Sequence, residues 1–496
     1  MVIMKLKILK DLISKINSNF EGCYVVGGIL RDLFLFNEFK DDIVDIDIII
    51  KKLDFKKLKK IITDFKLPFI ILDKENKIYR TVIKNEKSQI NIDFSSYTDL
   101  EEDIKRRDFT INCLILELKY FIKFLQKNDK KIVFKNIIDK LNSIDDIKQK
   151  ILRPITKQIF VDDPLRILRA ARFACYGFKI EKSIDKLVVK HKDLLKNVSA
   201  ERITEELKKI FNSESYEIFE WLDKNKVIDV LFPEIAEVKK KGKNTQFRKF
   251  YFHKEGLWQH IKLTYNSLEY IIKNLKKFYP KHIKDIKKAI ENKIYLLKYV
   301  CIFHDIAKPY VVLKHKGRVR FFHHEVKSAE IAHNILQRMK FSNEDTKVIT
   351  EVIRNHMRLG SLHANKEFLT ERAYLRLFRD TEKFLYYLLI FCLADRMSYE
   401  VIPIKERKKY FKNFYDIKDF LKFENLILQK HDEYLKKSDL PKLVNGYEVM
   451  EILKIKEGPL VGKILNFIRE LQLLGKVNTK KEAIEAAKEY IKTLNI

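Results

Sequence analysis

Two neighbouring stretches decide the fold: Tyr24-Val25-Val26-Gly27-Gly28-Ile29-Leu30-Arg31-Asp32 and Ile43-Val44-Asp45-Ile46-Asp47-Ile48-Ile49-Ile50. The first reads as a short strand, a glycine pair and the start of a helix. Paired glycines let backbone N–H groups approach a phosphate closely, and a following helix N-terminus favours the same anion. Arg31 can add a two-point phosphate contact. Alone, such a pair is an ordinary turn. The second stretch changes its meaning. Asp45 and Asp47 are two apart on a strand, so both carboxylates leave one face. Their apolar neighbours predict a central strand rather than a solvated edge, and paired carboxylates there repel unless a cation lies between them. Hard oxygen ligands suit Mg²⁺ or Mn²⁺. A third carboxylate, Asp93, sits on the predicted strand Ile90-Asn91-Ile92-Asp93-Phe94. Gly27, Gly28 and three carboxylates together describe a two-metal nucleotidyl-transfer site.

Composition bounds the rest. The 496 residues carry 100 Lys+Arg against 69 Asp+Glu, a net charge of +31. That excess points to a polyanionic partner, most simply nucleic acid. With 46% apolar residues and 12% aromatics the chain buries sizeable cores and is not intrinsically disordered. At about 150 residues per domain, roughly three domains are expected. The longest apolar run, Leu385 to Ala394, is far short of the ~18 residues of a membrane span and predicts a buried helix. Met1-Val2-Ile3-Met4-Lys5-Leu6-Lys7 has no apolar secretion core, and Cys23, Cys113, Cys175, Cys301 and Cys392 are scattered singly. The expectation is a soluble cytoplasmic protein.

Strand and helix signals mix over the first 120 residues, and the pattern turns helical after about residue 150. The segment Lys239-Lys240-Lys241-Gly242-Lys243-Asn244-Thr245 marks a boundary. Ten of the 12 histidines lie between His253 and His363. Another break falls at Asp439-Leu440-Pro441, before helices expected to bury Ile464, Ile468, Leu471 and Leu474.

Further motifs carry a family resemblance. Arg106-Arg107-Asp108-Phe109-Thr110-Ile111-Asn112 closely resembles the Arg-Arg-Asp-Phe-Thr motif of class II tRNA nucleotidyltransferases and bacterial poly(A) polymerases. Asp162-Asp163-Pro164-Leu165-Arg166-Ile167-Leu168-Arg169 resembles the family's Asp-Asp-x-x-Arg helix, and Ser199 to Leu207 its supporting helix. The resemblance implies an α+β chain: a polymerase-beta-like nucleotidyltransferase head over 1–152, a helical nucleotide-selection and RNA-binding neck over 153–240, an HD domain over 241–400 and a helical, tRNA-binding tail over 401–496. It implies that Arg106, Arg107, Asp108 and Asn112 contact the incoming nucleotide. Asp163 and Arg166, read as i, i+3 neighbours on a helix, would choose the base: an Asp accepts from the exocyclic amine of cytosine or adenine, and an Arg donates to the ring acceptor beside it. Arg169 and Arg172 are nucleotide or RNA contacts or a solvated basic stripe.

Two departures stand out. The family's Asp-Pro-x-Gly-Gly turn appears as Asp139-Lys140-Leu141-Asn142-Ser143, predicted to alter a turn and not the chemistry. Only Phe94 to Glu102 separate Asp93 from Asp103, where full CCA-adding members carry a longer loop; a shortened loop accompanies family members that add only part of the CCA end.

The histidines resemble the HD domain of metal-dependent phosphohydrolases, including Phe303-His304-Asp305-Ile306-Ala307-Lys308. That resemblance implies His260, His304, Asp305 and Asp395 as metal ligands, with His324 and His356 completing a larger or binuclear site. The implied partners are the tRNA 3′ end, CTP and ATP, with Mg²⁺ in the head and an unspecified divalent metal in the HD site. The alternatives are a poly(A) polymerase, and an HD phosphohydrolase with an RNA-binding head. Neither oligomeric state nor the nucleotide added is legible. The runs Lys239–Lys249, Lys273–Lys288 and Lys405–Lys412 are candidate RNA-backbone contacts.

Overall fold

A computed structural model describes residues 2–36, 43–84, 89–242, 256–315, 318–399 and 416–493. The chain forms two compact units, residues 1–210 with 217–231, and residues 211–216 with 232–496.

The first unit is built on a six-stranded sheet of order β3-β4-β5-β2-β1-β6: β1 Cys23–Val26, β2 Ile43–Lys51, β3 Ile70–Asp73, β4 Ile78–Lys84, β5 Gln89–Tyr97 and β6 Ile115–Glu117. β2 lies inside the sheet, as its apolar run predicts. Ile46, Ile48, Ile49 and Ile50 are all buried, each such side chain contributing about 1.5–3 kcal/mol. β2 and β5 pair in parallel, and the other pairings are antiparallel. Helix Val2–Asn19 buries Leu9, Leu12, Ile13 and Ile16. β3, β4 and β6 carried no clear signal in the sequence; β3 exposes Ile70 and Ile71, so burial does not drive it.

The altered turn is resolved by local chemistry. The Asp139 carboxylate accepts from the N–H groups of Leu141, Ser143 and Ile144, capping helix Ser143–Gln149. Asn142 takes the left-handed conformation, φ 54°, that a glycine would otherwise supply. One expectation needs correction. Asp163 and Arg166 do not share a helix: Asp163 is extended at φ −148°, ψ 103°, and helix Arg166–Cys175 begins three residues later. The cause is Pro164, which disfavours helical geometry in the residue before it.

In the second unit, helices Leu257–Lys273, Ile294–Phe303, His324–Arg338, Asn343–Ala364 and Leu385–Met397 form the HD core. Leu385 and Tyr387 through Ala394 are buried. No helix among the described residues is long and apolar enough to cross a membrane. The Lys239 run closes helix Pro233–Gly242, and residues 243–255 and 400–415, with the Lys405–Lys412 run, lie outside the described residues. Helix Ile417–Ser438 ends where Asp439-Leu440-Pro441 predicts. In the tail Ile464 and Ile468 are buried, whereas Leu471 and Leu474 are only partly so.

Buried Lys298 is an unexpected feature. Its ammonium donates to Glu269 Oε1 at 2.6 Å, to Ser215 Oγ at 2.7 Å and to the Ser213 carbonyl, and Glu269 also accepts from the N–H groups of Ser215 and Tyr216. Removing one partner of a buried pair strands the other charge, at a cost of about 3–5 kcal/mol. Glu269→Ala is therefore expected to destabilise this unit by about 3 kcal/mol, read as an earlier denaturant midpoint. An unmoved midpoint would show that water replaces the carboxylate without cost.

Candidate nucleotidyl-transfer site and metal centre

The head site is assembled from β1, β2 and the helix start between them. Asp45 and Asp47 project from β2 on one face, with Asp47 beside Val26 of β1. Gly27 follows at φ 77°, and helix Gly28–Leu35 begins at once. A Cβ at Gly27 would lie 3.1 Å from Asp47 Oδ2 and 3.3 Å from an Arg107 nitrogen. Glycine is thus required both for the backbone angle and for the room that the carboxylate occupies.

A cavity of about 640 Å³ opens here. It is lined by Gly27, Gly28, Arg31, Asp45, Asp47 and Arg107, together with Asp108, Asn112, Asp163, Arg166, Arg169 and Arg172. Residues up to 145 positions apart thus meet in one place, as the motif reading expects. Two do not join them: Asp93 and Arg106 are absent from the lining. Asp93 lies opposite Asp47 on β5, but Arg80 of β4 grips its carboxylate at 2.7 and 2.8 Å. Arg106 is half-exposed and tied to Asp103.

The polar groups form a relay. Arg31 Nη1 donates to Asn112 Oδ1 at 2.6 Å, Asn112 Nδ2 donates to Asp108 Oδ1 at 2.7 Å, and Arg169 Nε donates to Asp108 Oδ2 at 2.8 Å. Burial works to raise the Asp108 pKa, yet Arg169 and the Asn112 bond hold it below the usual carboxylate range. Asp108 is consumed as a hub that aims the two arginines. Arg107 donates to Asp103 from Nε at 3.0 Å and Nη2 at 2.7 Å, and Arg172 pairs with Glu206 at 2.8 Å. Arg169 and Arg172 are therefore anchored cavity residues and not a solvated stripe. Asp163 accepts from Arg202 at 2.9 Å, while Arg166 donates to the backbone carbonyls of Ile159 and Arg106. Arg80, Asn91 and Asp103 were missed by sequence reasoning. Only Asp103 gave a usable signal, its i, i+3 and i, i+4 spacing to Arg106 and Arg107.

The Asp47 carboxyl is pushed up to about 6, chiefly because burial strips water from its charged form; Arg107 pulls it down, and Asp93 and Asp45 push it up again. The predicted carboxylates fit a divalent cation: three lie within two residues of one another across adjacent strands, and one of them holds a proton until the pH rises past about 6.

The HD residues converge more tightly. His260 Nε2 lies 3.2 Å from His304 Nε2, 3.4 Å from Asp305 Oδ2 and 3.1 Å from Asp395 Oδ1. His324 Nε2 lies 3.3 Å from His356 Nε2 and 3.4 Å from Asp305 Oδ1. Asp305 thus faces one histidine pair with each oxygen, the arrangement of a bridging ligand. The outer ring nitrogens fix the tautomers: Nδ1 of His304, His324 and His356 donates to the carbonyls of Cys301, Phe321 and Ile353 at 3.0, 2.8 and 2.6 Å. His260 Nδ1 meets Ser398 Oγ at 3.0 Å, whose hydroxyl donates to the Asp395 carbonyl at 2.6 Å. Every Nε2 lone pair is thereby aimed inward, at carboxylate oxygens that are also acceptors. A metal cation or a proton on an imidazole relieves that opposition; burial works to lower the His260 pKa, yet Asp305 and Asp395 hold it above the ordinary value. Part of the opposition is relieved by Lys308, in contact with Asp305 Oδ2. Burial pushes His356 down to about 3, aided by His304, so its imidazole is neutral and available as a ligand. Burial would raise Asp305, but Lys308 and His304 hold it well below the usual range.

Comparison with known proteins agrees with this anatomy. Residues 23–153 match the family described as poly A polymerase head domain, 177–239 the probable RNA and SrmB-binding site of polymerase A, and 257–400 the HD domain. The chain is 25% identical to an A-adding tRNA nucleotidyltransferase of Deinococcus radiodurans over 398 residues, 78% of each chain. It is 25% identical to a CC-adding tRNA nucleotidyltransferase of Thermus thermophilus, over 93% of this chain and 92% of that one. The solved Thermotoga maritima CCA-adding enzyme, complexed with tRNA, shares the fold at a TM-score of 0.55 and 19% identity, over 95% of this chain and 91% of that one. Domains of both kinds use divalent metals.

Because Asp47 keeps its proton below about pH 6, metal and proton compete for it. At subsaturating Mg²⁺, nucleotide incorporation should fall as pH drops through 6, and added Mg²⁺ should move that fall to lower pH. A midpoint that ignores Mg²⁺ would remove Asp47 from the ligand set. The chain thus joins a poly A polymerase head domain, the RNA-binding segment of polymerase A and an HD domain, in that order, and is similar over most of its length to tRNA nucleotidyltransferases.

Proposed function

We propose that this protein is a template-independent nucleotidyltransferase that adds CMP, AMP or both to the 3′ end of tRNA. The observation that carries it is the meeting of Asp45, Asp47, Gly27, Asp163 and Arg166 around one cavity large enough for a nucleoside triphosphate. The terminal ribose 3′-OH attacks the α-phosphate of CTP or ATP. A new P–O bond forms, the bond to the bridging α–β oxygen breaks, and pyrophosphate leaves. Mg²⁺ held by Asp45 and Asp47, with Asp93 beside them, would lower the pKa of the attacking hydroxyl and neutralise the leaving charge.

The protein's own groups do the rest. The backbone at Gly27 and Gly28 cradles the triphosphate, and Arg31 adds charge fixed through Asn112. Arg107, anchored on Asp103, flanks the nucleotide, and Arg106 shares that anchor from outside the cavity lining. Asp163 reads the exocyclic amine, and Arg166 the acceptor beside it. Arg202 orients the Asp163 carboxylate so that a fixed acceptor meets the base. The neck over 153–240 thus serves base selection, and the tail over 401–496 serves tRNA binding. The protein works in the cytoplasm.

Partial addition is the reading the head geometry favours. β5 ends at Tyr97 and helix Leu100–Lys105 follows after Thr98 and Asp99, so no long loop intervenes. Two relatives that match over most of the chain are an A-adding and a CC-adding enzyme. The HD cluster is proposed as a binuclear divalent-metal site acting on phosphate esters at the RNA end.

Three tRNA substrates test this, ending before the first C, the second C and the final A, each given CTP, ATP or both. Partial addition predicts that at least one substrate stays short of a complete CCA end. Completion of all three would overturn the partial reading, and a long A ladder would replace it with a poly(A) polymerase.

A further inference from the structure

Asp93 is the head carboxylate that does not line the cavity, although it stands directly opposite Asp47 across the β2–β5 ladder. The cause lies on the next strand. Arg80 stands opposite Asp93 in the β4–β5 register, and its Nε and Nη2 donate to the two carboxylate oxygens at 2.7 and 2.8 Å. The pair is partly shielded, with side chains 32% and 22% exposed. A guanidinium fork of this kind takes one lone pair on each oxygen, on the side that a chelated cation would also use.

One row across the sheet therefore reads Val26, Asp47, Asp93, Arg80, and the adjacent row reads Asp45, Asn91, Val82. Two of the three carboxylates are oriented by a neighbour. Asn91 Nδ2 donates to Asp45 at 2.7 Å and Arg80 holds Asp93, while Asp47 occupies room that a Cβ at Gly27 would take. Three free carboxylates on one face would bind a divalent ion without any substrate. With one of the three already neutralised, the resting site has less attraction for such an ion.

We propose that Arg80 is a positioning residue of the nucleotidyl-transfer site, holding Asp93 out of the Asp45–Asp47 pair so that the resting protein offers a divalent ion two carboxylates and not three. The inference rests on the transfer reading of the cavity. Asp93 joins the ion only when it gives up an Arg80 bond, so the metal is recruited with the nucleoside triphosphate.

The test is Mn²⁺ binding to the full chain without nucleotide or RNA, compared between matched variants so that the HD cluster's contribution cancels. Arg80→Gln should bind Mn²⁺ roughly threefold or more tightly, and Arg80→Lys, which keeps the charge but loses the fork, should fall between. Asp93→Asn should match the wild type, and Asp45→Asn should weaken binding. In the double variant the Arg80→Gln gain should vanish, because the effect runs through Asp93. During addition, Arg80→Gln should lower kcat with little change in KM for the nucleotide. Unchanged Mn²⁺ affinity in Arg80→Gln, or an Asp93→Asn loss as large as that of Asp45→Asn, would overturn the proposal. The binding measurement needs no turnover, so the two failures are distinguishable: a wild type that fails to add nucleotides would sink the transfer reading, whereas unchanged Mn²⁺ affinity in Arg80→Gln would sink the positioning role alone.

Discussion

The parallel pairing of β2 with β5 is the constraint on which the head depends. It sets Asp45 beside Asn91 and Asp47 beside Asp93 in strict register. A slip of one residue would turn both β2 carboxylates to the opposite face and bury them among isoleucines. Register is fixed by Ile46, Ile48 and Ile50, buried on a strand with neighbours on both sides. The apolar content of β2 is therefore what makes a concentration of negative charge tolerable: the sheet's packing energy holds the carboxylates in a place that electrostatics alone would not choose.

Around that row the protein spends its cations with care. The net charge of +31 says little about the chemistry, because the arginines that matter are individually leashed. Arg31 is aimed through Asn112, Arg107 through Asp103, Arg169 through Asp108 and Arg172 through Glu206. Four of the cavity's cations are thus pre-oriented before any phosphate arrives, which lowers the reorganisation needed when charge develops. The HD centre follows the same logic with opposite sign. Its histidines are locked by their outer nitrogens, and the inward lone pairs await cations.

Much of this was legible from residues alone, for identifiable reasons. Asp45 and Asp47 declare themselves because spacing two on an apolar strand has a single geometric meaning. The HD ligands were legible through the resemblance to the HD domain, carried by Phe303-His304-Asp305-Ile306-Ala307-Lys308 and the histidines around it. Partnerships across the fold were not legible. Arg80 lies on β4, which carried no clear signal, and its pairing with Asp93 comes only from the sheet register. Arg202 and Asp163 are 39 positions apart, and Ser398 and His260 are 138 apart, so only packing unites them. The helical placement of Asp163 was a different failure. The i, i+3 spacing suggests a shared helix, but proline's effect on the residue before it is the stronger local influence.

The most direct test of the account is single-turnover incorporation of CTP and ATP by Asp45→Asn, with the fold checked by its thermal transition. The account predicts an unchanged transition and loss of incorporation by about 100- to 1,000-fold, the scale expected when a preorganised charge at the reacting centre is removed. Near-normal incorporation by a folded Asp45→Asn protein would contradict it, because the β2 carboxylate pair would then not be the centre of the chemistry.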